Sequence, residues 1–167
     1  MSDEKLLTLK DLFEHKVKDL YSSQEQLETA YQEMAQHVSH DALKSELQKY
    51  QQETKKNRQD IETVSQTLEF DPKGVKCTGT EGIVKEGKEL MEAKADADVV
   101  DAGLLVNAQV IAHYEIANYG AAYHYAKRLG YNQAAEVFGN VIEKQKDANA
   151  KLTELAKETI NADAEKA

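Results

Sequence analysis

The sequence has one proline, one cysteine and no tryptophan, and basic residues are the minority charge. A single cysteine, Cys77, forbids an intramolecular disulfide and a cysteine-based zinc knuckle, so a reducing compartment is the simple reading. One proline in 167 residues leaves few fixed breaks, and with 31% charged residues and abundant Ala, Glu, Lys and Gln this is the composition of long helices. No apolar run approaches the ~20 residues that span a bilayer. Met1-Ser2-Asp3-Glu4-Lys5 lacks the basic start and apolar stretch of a signal peptide. The expectation is a soluble, cytoplasmic protein with no membrane partner. The net charge of −9 repels phosphate backbones, so nucleic acid is not an expected partner either. The length suits a single domain, residues 1–167.

What is present is helical periodicity. Leu6, Leu9, Phe13, Val17, Leu20, Leu27, Tyr31, Met34 and Val38 recur at three- and four-residue steps, which predicts a first helix over roughly 4–37. Ser39, His40 and Asp41 can cap a second, whose stripe of Leu43, Leu47, Tyr50, Thr54, Ile61, Val64 and Leu68 covers roughly 41–69. So short a connection makes the two an antiparallel hairpin. Asp71-Pro72-Lys73-Gly74 ends it. Thr78 followed by Glu81 resembles a capping box and opens a short helix over roughly 79–94. Asp96 and Asp98 start a long third helix over roughly 97–129, striped by Val99, Leu104, Leu105, Ala108, Ile111, Ala112, Glu115, Tyr119 and Ala122. Gly130 ends it, and Asn132 can cap a fourth helix over roughly 132–161, beyond which the polar tail is expected to fray. Two tight hairpins joined by about 27 residues that carry a short helix predict an all-α, ferritin-like four-helix bundle with a crossover helix between helices two and three. The competing arrangement makes the short helix a lid on a simple up-down-up-down bundle.

Each long stripe is broken near its middle by a side chain that hydrogen-bonds: Gln24 in the first helix, Glu53 and Asn57 in the second, Glu115 in the third, Gln145 and Asn149 in the fourth. In a ferritin-like bundle the four mid-points meet, so these six residues are expected to share one buried cluster. Unpaired polar groups in a core cost about 1–3 kcal/mol each, so the cluster is either a metal or ligand pocket or a hydrogen-bonded network that fixes helix register.

The remaining candidates are weaker. His113 lies about 200° around the helix from Glu115, on a flank. His37 and His40 are spaced to clamp a surface ion, but nothing acidic is forced nearby, and His15 and His124 are expected to be solvated. Tyr114, Tyr119, Tyr123, Tyr125 and Tyr131 crowd the third helix and its turn, where core or dimer contact is the commoner use of tyrosine than redox chemistry. No Ser-His-Asp order or glycine-rich phosphate loop after a strand supports a hydrolase or a nucleotide-binding protein. Lys55-Lys56-Asn57-Arg58 and the segment 86–92 read as solvated helix surface.

Several stretches resemble the YciF-type family of bacterial stress-associated, ferritin-like proteins: Asp19-Leu20-Tyr21-Ser22, Gln26-Leu27, the run from Val75 to Ile83, Leu129-Gly130-Tyr131 and the run from Lys151 to Ala156. The most specific is His113-Tyr114-Glu115-Ile116-Ala117-Asn118-Tyr119-Gly120. The resemblance implies a ferritin-like bundle, usually a homodimer, whose centre is a rubrerythrin-type dinuclear metal site of carboxylates and histidine. This chain departs from that pattern. Where the family usually carries acidic residues it has Gln24, Ala112, Gln145 and Asn149, and where the family often has His or Gln it has Asn57. Dinuclear iron or manganese sites use about four carboxylates and two imidazoles to offset two hard ions. Only Glu53 and Glu115 remain as residual metal candidates. The expectation is a degenerate, metal-free centre in a structural or interaction module, with no catalytic residues and no cofactor. The alternative is a di-iron or single-metal oxidase or peroxidase that uses iron.

Overall fold

The structure is a computed structural model that describes residues 5–167, so the start expected near residue 4 lies outside the described residues. Helix α1, Leu9–His37, starts later than the apolar spacing predicts. Thr8 and Asp11 form a reciprocal capping box there: the Asp11 N–H donates to Thr8 Oγ1 at 3.1 Å, and the Thr8 N–H donates to Asp11 Oδ2 at 2.8 Å. Leu6 and Leu7 stay outside the helix and exposed.

Helix α2, Asp41–Thr67, follows almost at once, and its cap comes from a distance. None of Ser39, His40 and Asp41 caps α2 with its own side chain. The carboxylate of Asp101, only 2% exposed, instead accepts the Ser39 N–H at 2.9 Å, the Ser39 hydroxyl at 2.7 Å and the His40 N–H at 2.8 Å. Helix α3, Thr78–Glu92, also begins differently from expectation. The Thr78–Glu81 capping box does not form, because Cys77 takes the cap position and Glu81 pairs with Lys76 at 2.5 Å.

Helix α4, Ala97–Leu129, opens on Asp96, whose side chain accepts the Asp98 N–H, and closes on Gly130, whose φ of 77° is a left-handed conformation open to glycine. Helix α5, Asn132–Leu155, has Tyr131 at its cap position, so Asn132 enters the first turn rather than capping it. One π turn at Ala156–Ile160 carries the chain on into α6, Asn161–Lys166. The tail expected to fray is therefore helical, anchored by the buried Ile160.

Contacts between helices fix the topology. Lys16 bonds Asn118, Gln24 bonds Glu115 and Ser39 bonds Asp101, so α1 and α4 are antiparallel. Tyr50 reaches Ala148, while Val64 and Leu68 lie beside Ala134, so α2 and α5 are antiparallel as well. With α1–α2 a tight hairpin, α2 and α4 must point the same way, and the chain has to travel back along the bundle between them. Helix α3 makes that return. Cys77 and Thr80 meet Ser22 and Ser23 at its start, and Lys88 meets Glu33 near its end, so it runs parallel to α1. Against α4 it is close-packed: a Cβ at Gly79 would collide with the Tyr114 hydroxyl. The crossover reading holds and the lid reading does not.

The core lies in two parts. Leu27, Tyr31, Met34, Leu43, Leu47, Leu104, Ile111 and Leu152 fill one end of the bundle, and Phe13, Val17, Leu20, Ile61, Tyr119, Phe138 and Val141 fill the other. Because Asp101 satisfies three donors of the α1–α2 turn from another helix, Asp101→Ala orphans them together. Chemical denaturation is expected to show a loss of about 2–4 kcal/mol, more than one exposed cap contributes.

Candidate functional site

Between the two apolar halves lies a single polar layer. Gln24 follows Leu20 and Tyr21 on α1, Asn57 sits between Tyr50 and Ile61 on α2, Glu115 between Ile111 and Tyr119 on α4, and Gln145 between Val141 and Ala148 on α5. All four are buried, Gln24 at 0% and Glu115 at 1% exposure. The Gln24 amide donates to Glu115 Oε1 at 2.5 Å, and the Asn57 amide reaches Gln24 Oε1 at 3.5 Å. Gln145 lies close enough to Glu115 to lower its proton affinity, so each of the four long helices contributes one side chain.

Two of the six expected members are placed differently. Asn149 is only partly buried, one turn beyond Gln145, and accepts from Gln109 at 3.3 Å, outside the layer. Glu53 is half-buried at the edge, near enough for its charge to act on Glu115 and Tyr31. Ala112 is buried and brings no polar atom.

Burial pushes the Glu115 carboxyl up to about 7, and the Glu53 charge adds to the shift while the amides of Gln24 and Gln145 oppose it. The hydroxyls of Tyr31 and Tyr119 are held well above the ordinary tyrosine range, first by burial and then by the charge of Glu115. Glu115 Oε2 and Asn57 Oδ1 are buried acceptors with no donor from the protein. A proton on Glu115 turns one of these unmatched acceptors into a donor.

This donor set does not fit a dinuclear metal centre. Glu115 is its one fully buried carboxylate, and the Gln24 N–H already occupies one of that group's oxygens. Among the described residues, no group of three or more His, Cys, Asp or Glu side chains is placed to hold a metal ion. The histidines lie elsewhere. His113, His124 and His37 are exposed, and His37 bonds the Glu33 carbonyl. His15, expected to be solvated, lies 3.9 Å from Asp19 and is only 24% exposed.

Sequence reasoning missed a second polar contact, where α3 meets α1 and α4. The buried Cys77 thiol lies 3.3 Å from Thr80 Oγ1 and 3.2 Å from the Tyr114 hydroxyl, its N–H donates to Ser22 Oγ at 3.0 Å, and Ser23 meets Thr80 at 2.8 Å. The available signal was Ser22-Ser23 on an otherwise apolar helix face. Of the run read as solvated surface, Lys55 and Lys56 are exposed, but Asn57 is buried and Arg58 pairs with Glu28 at 3.1 Å.

These features define an all-α bundle of four long helices, with a crossover helix between the second and third and a polar layer at mid-height. The chain belongs to the family described as "Domain of unknown function (DUF892)", which it matches over residues 8–165. It is 35% identical over 162 residues to the protein YciF of Escherichia coli K12, covering 95% of this chain and 96% of that one. The crystal structure of the E. coli stress protein YciF superposes with a TM-score of 0.89 at 33% identity, covering 93% of this chain and 99% of the other. YcfI of Rhodopseudomonas palustris superposes with a TM-score of 0.86 at 31% identity, covering 92% and 98%. A protein of Xanthomonas campestris, at 17% identity and a TM-score of 0.74 over 95% of this chain and 98% of its own, shares the fold. No helix among the described residues is long and apolar enough to cross a membrane.

Glu115 makes stability depend on pH in a definite direction. Its carboxyl titrates at about 7 when folded and near its ordinary value of 4.5 when unfolded, so between those values the folded protein holds the extra proton. That stabilisation is complete below about pH 4.5 and is lost as pH rises through about 7, a difference on the order of 3 kcal/mol. Melting temperatures of Glu115→Gln are expected to exceed those of the parent above neutral pH and to converge with them in mild acid.

Proposed function

We propose that the protein is a structural or interaction module of the stress-associated kind, homodimeric, with a metal-free centre, and that it is not an enzyme. The observation that carries this reading is the polar layer, in which one buried carboxylate accepts from the Gln24 amide and is otherwise flanked by neutral Asn57 and Gln145, where a dinuclear site needs anionic ligands. Two divalent ions bring at least four positive charges, and Glu53 with Glu115 offset at most half of them in a medium where bare charge is expensive. Gln and Asn keep the shape of Glu and Asp without their charge, so the packing of a metal site survives while its affinity falls. The relatives support the class: E. coli YciF is described as a stress protein, and a structural role has been suggested for YcfI. A buried, unpaired cysteine accords with a cytoplasmic setting.

Metal analysis of protein purified without chelator, followed by anaerobic loading with ferrous iron, tests the proposal. The parent is expected to hold no stoichiometric iron and to develop no oxo-bridged di-ferric absorption in oxygen. The triple variant Gln24→Glu, Ala112→Glu, Gln145→Glu is expected to gain iron binding. Two ions per parent chain and a di-ferric spectrum would instead establish a rubrerythrin-type oxidase or peroxidase, and one tightly held ion would establish a single-metal protein.

A further inference from the structure

Helices α1 and α3 border an open groove of about 480 Å³ that lies outside the polar layer. The two helices run parallel and in step: the Cys77 N–H donates to Ser22 at 3.0 Å and Lys88 meets Glu33 at 3.6 Å, contacts that lie eleven positions apart along both segments. This register sets Glu25 level with Thr80 and Lys85 level with Ala30, and the two ends of the groove differ in charge. At the first end Lys76 pairs with Glu81, while Glu25 lines the groove with no ion-pair partner among the described residues. At the second end Lys88 pairs with Glu33, while Lys85 reaches only Glu89, at 4.0 Å, with its own side chain 76% exposed. One carboxylate on α1 and one ammonium on α3 are therefore left facing the same groove. Between their levels lie the buried Ala30 and the half-buried Val84, which give it an apolar floor.

We infer that this groove binds an elongated zwitterion of the ω-amino acid class, with its ammonium at Glu25, its carboxylate at Lys85 and its methylene chain along Ala30 and Val84. Charge selects the class. A lone cation is attracted to one end and repelled from the other, and a lone anion meets the reverse, whereas a dipolar molecule satisfies both. Length selects the member. Five residues of helix rise part the two levels, about 7.5 Å, which an extended 6-aminohexanoate spans and glycine does not. The size of the groove suits such a molecule, and burying its methylenes against the floor adds apolar contact to the two charged ones. The site is independent of Glu115 and of the reading given to the bundle centre.

Titration of the full chain with 6-aminohexanoate, followed by amide NMR, tests the site, with circular dichroism confirming that each variant is folded. Saturable shifts are expected at Glu25, Ala30 and Lys85 in the millimolar range, because both charge contacts are exposed to solvent. Glycine, hexylamine and hexanoate are each expected to bind at least fivefold more weakly, the first because it reaches one wall only and the others because each lacks one charge. Glu25→Gln and Lys85→Gln are each expected to weaken 6-aminohexanoate at least fivefold. Exchanging the charges, Glu25→Lys with Lys85→Glu, is expected to recover binding with the ligand reversed. No saturable shift in the parent, hexylamine or hexanoate binding as tightly as the zwitterion, single variants that bind like the parent, or a charge exchange that recovers nothing would overturn the site.

Discussion

One buried carboxylate organises this molecule. Glu115 sits at the crossing point of four long helices at 1% exposure, and among the described residues no lysine or arginine forms an ion pair with it. Such a group survives in a core only if donors surround it, a cation pairs with it or a proton joins it. Gln24 from α1 donates to it, Gln145 from α5 lies beside it, Asn57 from α2 orients Gln24, and burial holds the proton affinity near neutrality. Each helix must therefore arrive at one height and one rotation. Slipping any of them by a turn would put an amide among leucines and leave the carboxylate bare.

The chain connectivity follows from the same requirement. Two hairpins can bring four mid-points together, but α2 and α4 then run in the same direction and the chain must climb back along the bundle. Helix α3 does this in the groove beside α1 and α4, approaching closely where Gly79 faces Tyr114 and Gly87 faces Asn107. The return packs α4 against α1, α3 and α5. The polar layer and the crossover are thus consequences of one arrangement.

Much of this was legible in the residues because it is local. Helix limits at His37, Asp41, Ala97, Leu129 and Asn132 fall where turn residues and three-to-four spacing predict them, and the four central polar residues stand out because each interrupts an apolar stripe. What was not legible is long-range. Asp101 reads as an ordinary acid near the start of α4, yet it caps a turn 62 residues away, and nothing between Ser39 and Asp101 announces the pairing. The Thr78–Glu81 box fails because Lys76 competes for the glutamate, and Asn149 leaves the cluster because Gln109 offers a nearer partner. Period alone places a side chain on a face. Which neighbour captures it depends on the opposing helix.

The central claim is that amides and a proton, not metal ions, balance Glu115. Its most direct test is to follow the side-chain carboxyl carbons of the glutamates by carbon-detected NMR across pH, using Glu115→Gln for assignment. The account predicts one glutamate titrating near pH 7 in the parent and absent from the variant. A Glu115 that stays ionised through mild acid, down to about pH 5 or below, as a carboxylate held by a metal ion does, would contradict it.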